Sequence, residues 1–175
     1  MFDVGDEVKM SEFMSETFQT LTTHDIWVQW PEGPVAALLN KQGLVDSSPA
    51  LDFITRTLKP FGKLSNRKFT IAAANVDSGK YELFTQDNIT FEELPQAALS
   101  SGSIPTVFPN QHFKGMNLMD GGTIWDINVD AAINQCLDLG YAQTDIIVDV
   151  LICSSAKSAP EADTGKTINN LMQAY

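Results

Sequence analysis

The residue pattern of this chain predicts an α/β fold built on a mainly parallel central sheet. Three observations carry that expectation. Residues 145 to 153 (DIIVDVLIC) are nearly all apolar, as a strand is when helices cover both of its faces in a parallel sheet. Residues 69 to 76 (FTIAAANV) read as another strand, with small side chains that let neighbours approach closely. The stretches around these runs repeat apolar residues at helical spacing.

Residues 6 to 21 form the first helical pattern, with Val8, Phe13, Met14, Phe18 and Leu21 as a stripe expected to face the core. Residues 22 to 25 (TTHD) break it. Ile26, Trp27, Val28 and Trp30 form a short apolar segment, read as core packing in preference to a lipid groove. Pro34, behind Gly33, opens a short helix that Gly43 is expected to stop. Ser48 as N-cap and Pro49 as first residue begin the next helix, with Leu51, Ile54 and Leu58 on one side and Pro60 and Gly62 beyond its end. Residues 77 to 79 (DSG) turn the first strand into a second, Tyr81 to Phe84. A helix follows over about 95 to 101; Thr90 and Glu93 have capping-box spacing, but Pro95 places the start near itself. Val129, Ala132, Ile133, Cys136 and Leu137 mark a further helix, stopped by Gly140. Residues 156 to 175 read as a polar tail, with the start of another helix near Thr167.

At 175 residues a single domain is expected. The net charge of −11, from 11 basic and 22 acidic residues, disfavours nucleic acid as a partner, because phosphate binding needs a basic face. One island departs from this charge: Arg56, Lys59, Lys63, Arg67 and Lys68 lie in a segment with no acidic residue. The solvated-surface reading is preferred there over a contact with lipid phosphates. No run approaches the roughly 18 apolar residues of a membrane span, and the acidic start lacks the form of a signal peptide, so a soluble protein is expected and the compartment stays open. Cys136 and Cys153 each sit in an apolar pattern and make no disulfide framework. Asn88-Ile89-Thr90 matches a glycosylation sequon, a triplet common by chance. No metal-ligand spacing occurs, so neither metal nor cofactor is expected.

The richest stretch runs from residue 97 to 128 and centres on Asp120-Gly121-Gly122. Glycines after a carboxylate allow a sharp turn with φ > 0, and such a turn can present the Asp at the rim of a sheet. Ahead of it lie Ser100, Ser101, Ser103, Ile104-Pro105 and Phe108-Pro109. The serines sit in no nucleophile elbow and are expected to cap the helix end by bonding backbone. His24 and His112 belong to no recognisable catalytic motif. On pattern alone, Asp120 would be a plain turn residue.

In order and spacing, Ala98 to Pro105, Phe108-Pro109 and Asp120-Gly121-Gly122 resemble the second half of the patatin-like lipid acyl hydrolases, and the resemblance runs from Met1 to about Ser155. It implies a three-layer α/β/α fold, incomplete at the amino terminus, with residues 1 to 155 as the carboxy-terminal portion of the domain. It also implies ester hydrolysis of phospholipid or acylglycerol by a Ser–Asp dyad, with Asp120 accepting the serine proton and Gly121 and Gly122 holding its backbone. The family's serine stands in a G-x-S-x-G elbow behind a Gly-rich oxyanion loop, and this sequence contains neither. The chain is therefore expected to supply only the Asp half and to be inactive alone, since acyl transfer needs both nucleophile and oxyanion donors. A catalytically inactive lipid-binding or interaction module, and a half-domain completed by a second chain, are the alternatives. A lipid ester or lipid surface is the expected partner. Self-association is expected too, through apolar surface that a sheet lacking its first strands would expose.

Overall fold

The computed structural model describes residues 2–152. The expected tail at 156 to 175 and Cys153 lie outside them. Six helices and four strands follow in chain order among the described residues. The helices are α1 (Glu7–Thr20), α2 (Thr23–Ile26), α3 (Gly33–Asn40), α4 (Ser48–Leu58), α5 (Leu94–Ser101) and α6 (Val129–Asp138). The strands are β1 (Thr70–Asn75), β2 (Tyr81–Thr85), β3 (Gln111–Phe113) and β4 (Met116–Asp120).

The strands form one sheet in the order β2-β1-β4-β3, and every pair is antiparallel. This corrects the expectation of a mainly parallel sheet. The reason is local. β1 and β2 are a hairpin closed by Gly79 at φ 68°, and β3 and β4 are a hairpin closed by Lys114 and Gly115 at φ 50° and 76°. Two consecutive positive φ values give the primed turn that suits the twist of a two-stranded ribbon. The hairpins then join edge to edge, Ala73 opposite Asp120 and Asn75 opposite Leu118.

The apolar run at 145 to 153 is corrected as well. Residues Gln143–Asp145 make a single 3₁₀ turn, and 146 to 152 belong to no strand. Ile147 is 90% exposed and Leu151 86%. β1, the strand with the smallest side chains, has β2 on one side and β4 on the other, so neither of its edges can take a parallel neighbour.

One face of the sheet carries the core: Ala73, Phe84, Phe113 and Leu118 pack with Ile89 and with Leu94 and Ala97 of α5. Phe84 and Phe113 meet edge to face at 5.2 Å between ring centres. α4 packs behind α5. On the other face α6 reaches the sheet through Gln135, whose Nε2 donates to Thr70 Oγ1 and to the Phe69 carbonyl.

Several helix expectations change in detail. α1 buries no residue: Val8 and Phe18 are exposed, and only Phe13 of the stripe stacks, against Phe2 and Phe61. α4 takes Ser47, not Ser48, as its N-cap; the Ser48 amide donates to Asp46 Oδ1. α3 ends at Asn40, three residues before Gly43. α5 begins at Leu94 with Pro95 in its first turn, as the proline predicts; its N-cap is Glu93, whose Oε2 accepts from the Thr90 amide, so Thr90 does not cap the helix. α6 ends as expected, with Gly140 at φ 89° donating to the Leu137 carbonyl.

Leu118 is fully buried between the sheet and α5. Leu118→Ala is expected to cost about 2–5 kcal/mol, since the surrounding sheet can relax only partly into the space left. Urea unfolding measures this; a loss below 1 kcal/mol (roughly the cost of a volume-conserving swap) would mean the core lies elsewhere.

Candidate active site

Asp120 is the last residue of β4, and three contacts fix its backbone. Its amide donates to the Ser103 carbonyl at 2.9 Å. Its carbonyl accepts from Thr123 Oγ1 at 2.7 Å. Its Cα lies opposite Ala73 in the ladder with β1. The chain then makes one 3₁₀ turn, Gly121–Thr123, and the Ile124 and Trp125 amides both return to the Gly121 carbonyl at 3.0 Å.

The two glycines do not supply the positive φ expected of them. Neither Gly121 nor Gly122 has a positive φ. Gly121 is needed for space: a Cβ there would stand 2.6 Å from the Ala72 carbonyl oxygen and 2.9 Å from its carbon. That is backbone, which cannot swing aside. A Cβ on Gly122 would come within 3.1 Å of Asp120 Oδ1 and 3.3 Å of Asp126 Oδ1. Gly122 thus leaves room for two carboxylates, and its amide donates to Asp120 Oδ1 at 2.7 Å. Oδ2 receives no hydrogen bond from a described residue and remains an acceptor.

Electrostatics follows from this geometry. Burial raises the Asp120 carboxyl above its ordinary value of 3.8; the Gly122 amide pulls the other way, and the Asp126 charge adds to the rise. Such a carboxylate is a stronger base than an exposed one. Tyr81, at the start of β2, borders the same turn. Its hydroxyl donates to the Trp125 carbonyl at 3.1 Å, and burial raises its phenol, against Asn128 and together with the Asp120 and Asp126 charges. Asn128 accepts from the Ala131 amide at 3.0 Å and so caps α6.

Two of the three serines ahead of the site bond backbone as expected. Ser100 and Ser103 are fully buried, and their hydroxyls donate to the Gln96 and Leu99 carbonyls, each at 2.8 Å. His112 lies exposed on β3 opposite Asn117, whose side chain points away from the Asp120 side of the strand. His24 is exposed in α2. Among the described residues no group of three His, Cys, Asp or Glu is arranged to hold a metal. Of the basic island, Arg56 pairs with Asp25 at 3.1 Å, Arg67 with Glu7 at 2.7 Å and Lys68 with Asp87 at 3.5 Å. These pairings favour the solvated-surface reading. Tyr81 and Asp126 carry no sequence signal for the site: Tyr81 is far away in the chain, and Asp126, between Trp125 and Ile127, stands in no motif.

A family model described as Patatin-like phospholipase matches residues 3–133. Comparison with curated proteins gave no match, and neither did comparison with solved structures.

The raised Asp120 carboxyl sets a sign for stability. The folded state holds the Asp120 proton more tightly than the unfolded chain does. Stability therefore falls as pH climbs from 3.8 through the raised value, and the loss is complete above it. Asp120→Asn keeps an acceptor for the Gly122 amide and removes the charge. It is expected to raise the melting temperature at pH 7, with the gain shrinking to nothing below 3.8. A variant less stable than wild type at pH 7 would contradict the assignment.

Proposed function

The chain belongs to the patatin-like phospholipase family, and on that premise we propose that it takes part in lipid ester hydrolysis by supplying Asp120 as the base of a Ser–Asp dyad. The observation that carries this reading is the state of Asp120. One carboxylate oxygen is tied to the Gly122 amide, the other accepts from no described residue, and the group is half-buried, with its proton affinity raised. A base in that state can take a proton from a serine hydroxyl within hydrogen-bond reach and return it to the leaving alcohol. Gly121 and Gly122 support it, the first by close packing on β1 and the second through its amide.

The nucleophile is not expected among this chain's own serines. None stands in a G-x-S-x-G elbow, and Ser100 and Ser103, ahead of the Asp120 motif, are buried and already donating to carbonyls. In this reading residues 1 to 155 act as the carboxy-terminal portion of a patatin-like domain. The serine and the oxyanion donors come from polypeptide outside these 175 residues, as does the rest of a three-layer sheet arrangement. Substrates are lipid esters, presented in a lipid surface. Among the described residues no helix is long and apolar enough to cross a membrane.

Labelling with a fluorophosphonate, read by intact mass, tests the assignment. The chain alone is expected to take no adduct. When it is combined with a segment carrying the G-x-S-x-G elbow and oxyanion loop, one adduct and ester turnover are expected. Asp120→Asn should then lower turnover by about 10²–10⁴-fold, the range for loss of a general base. A stoichiometric adduct on the isolated chain, or turnover indifferent to Asp120→Asn, would overturn the reading.

A further inference from the structure

Two acidic side chains meet at Gly122. Asp120 Oδ1 and Asp126 Oδ1 stand 3.1 Å and 3.3 Å from the position that a Cβ on this glycine would take. The two carboxylates therefore flank one gap, the first from the end of β4 and the second from the segment between the 3₁₀ turn and α6. The ion pairs of the described residues all lie elsewhere, so no cation stands between them. Like charges this close repel one another. The segment that carries Asp126 is therefore held in place by other contacts.

Tyr81 supplies that restraint. Its hydroxyl donates to the Trp125 carbonyl at 3.1 Å, and its ring lies 6.2 Å from the Trp125 ring, centre to centre. Trp125 precedes Asp126 in the chain, so one side chain of β2 grips the neighbouring residue by both backbone and indole. Burial first, and then the two carboxylate charges, raise the Tyr81 phenol, which keeps it a donor at neutral pH. Beyond Asp126, Asn128 accepts from the Ala131 amide and caps α6. Asp126 lies between these two anchors.

The other elements around Asp120 bring little charge to it. β1, α5 and the segment at 103 to 109 contain no titratable side chain, and β4 has none besides Asp120 itself. On β2 the second titratable group, Glu82, accepts from Asn75 Nδ2 at 3.4 Å. The stretch from 121 to 128 contributes Asp126. Burial is the larger cause of the raised proton affinity of Asp120, and the Asp126 charge adds to it.

We propose that Asp126 is a positioning residue of this site: clamped by Tyr81 through Trp125, its carboxylate faces Asp120 across Gly122 and strengthens Asp120 as a base. An anion beside a carboxylate disfavours the charged form, and a stronger base takes a serine proton more readily. The inference rests on the dyad-base reading for its purpose, but it is measured as a difference between variants, so the two can fail separately. The test follows the Asp120 side-chain carbon by NMR through a pH titration of the 175-residue chain, at low and at high salt. Wild type is compared with Asp126→Asn, Tyr81→Phe, the double variant, and Glu12→Gln, which removes one exposed charge from α1; amide spectra confirm that each folds. Asp126→Asn should lower the Asp120 midpoint and Tyr81→Phe should lower it less. The double variant should match Asp126→Asn, because the clamp acts only through the charge it holds. Glu12→Gln should leave the midpoint near that of wild type. High salt should lower the wild-type midpoint and move that of Asp126→Asn less, since salt screens the missing interaction. A midpoint that Asp126→Asn leaves in place or raises, or that Glu12→Gln lowers equally, would overturn the proposal, as would an equal salt response in wild type and Asp126→Asn. Shifts that simply add in the double variant would overturn the role of Tyr81. A wild-type midpoint at or below 3.8 that falls further in Asp126→Asn would sink the dyad-base reading and leave this inference standing.

Discussion

Gly121 passes too close to the Ala72 carbonyl for any side chain, and the candidate site depends on that approach. The chain leaving β4 passes so near β1 that no side chain fits between them. That approach determines where the 3₁₀ turn starts, and hence where the Gly122 amide and the Asp120 carboxylate face one another. It also explains the small residues of β1. Ala72, Ala73 and Ala74 leave room for α5 on one side and for the turn on the other, whereas larger side chains would fill both spaces.

From that contact the support for Asp120 runs outward in two directions. One path goes through the Ser103 carbonyl into the segment at 103 to 108, where Thr106 holds a φ of 66°. A β-branched residue is rarely found in that region, and such strain persists only where the surroundings impose it. Here the impositions are visible in the amides of Leu44 and Val45, which bond across to this segment, and in the packing of Gly43 beneath Phe108 and Pro109. The other path runs through Tyr81 and Trp125 to Asn128, which caps α6. The carboxylate therefore sits between two hairpins and two helix ends, on backbone held at several points.

The elements themselves were largely legible in the sequence. β1, β2 and α3 to α6 lie close to where periodicity, proline and capping residues place them, because those signals report local backbone preference. The arrangement of the strands was not legible. The apolar run at 145 to 153 has the composition of a buried parallel strand, yet composition cannot say which edge will receive it, and β1 has no open edge. The exposed stripe of α1 fails for the same reason: an amphipathic pattern states that one side is apolar, and what covers it is a tertiary matter. Within the site, Asp120 and its two glycines were found from motif and family resemblance. That the glycines provide space and not a positive φ was not legible, because the two needs look identical in sequence. Tyr81 reaches the turn through tertiary structure and Asp126 through the local 3₁₀ turn, and neither stands in a motif.

The central claim is that the packing of Gly121 on Ala72 holds Asp120 as a half-buried, unusually basic carboxylate. It is tested most directly by following the Asp120 side-chain carbon by NMR through a pH titration, in the wild-type chain and in Gly121→Ala. The wild-type midpoint should lie above 3.8, and the substitution should move it back towards that value as the turn is pushed off the sheet. A wild-type midpoint at or below 3.8, or one that Gly121→Ala leaves in place, would contradict the claim.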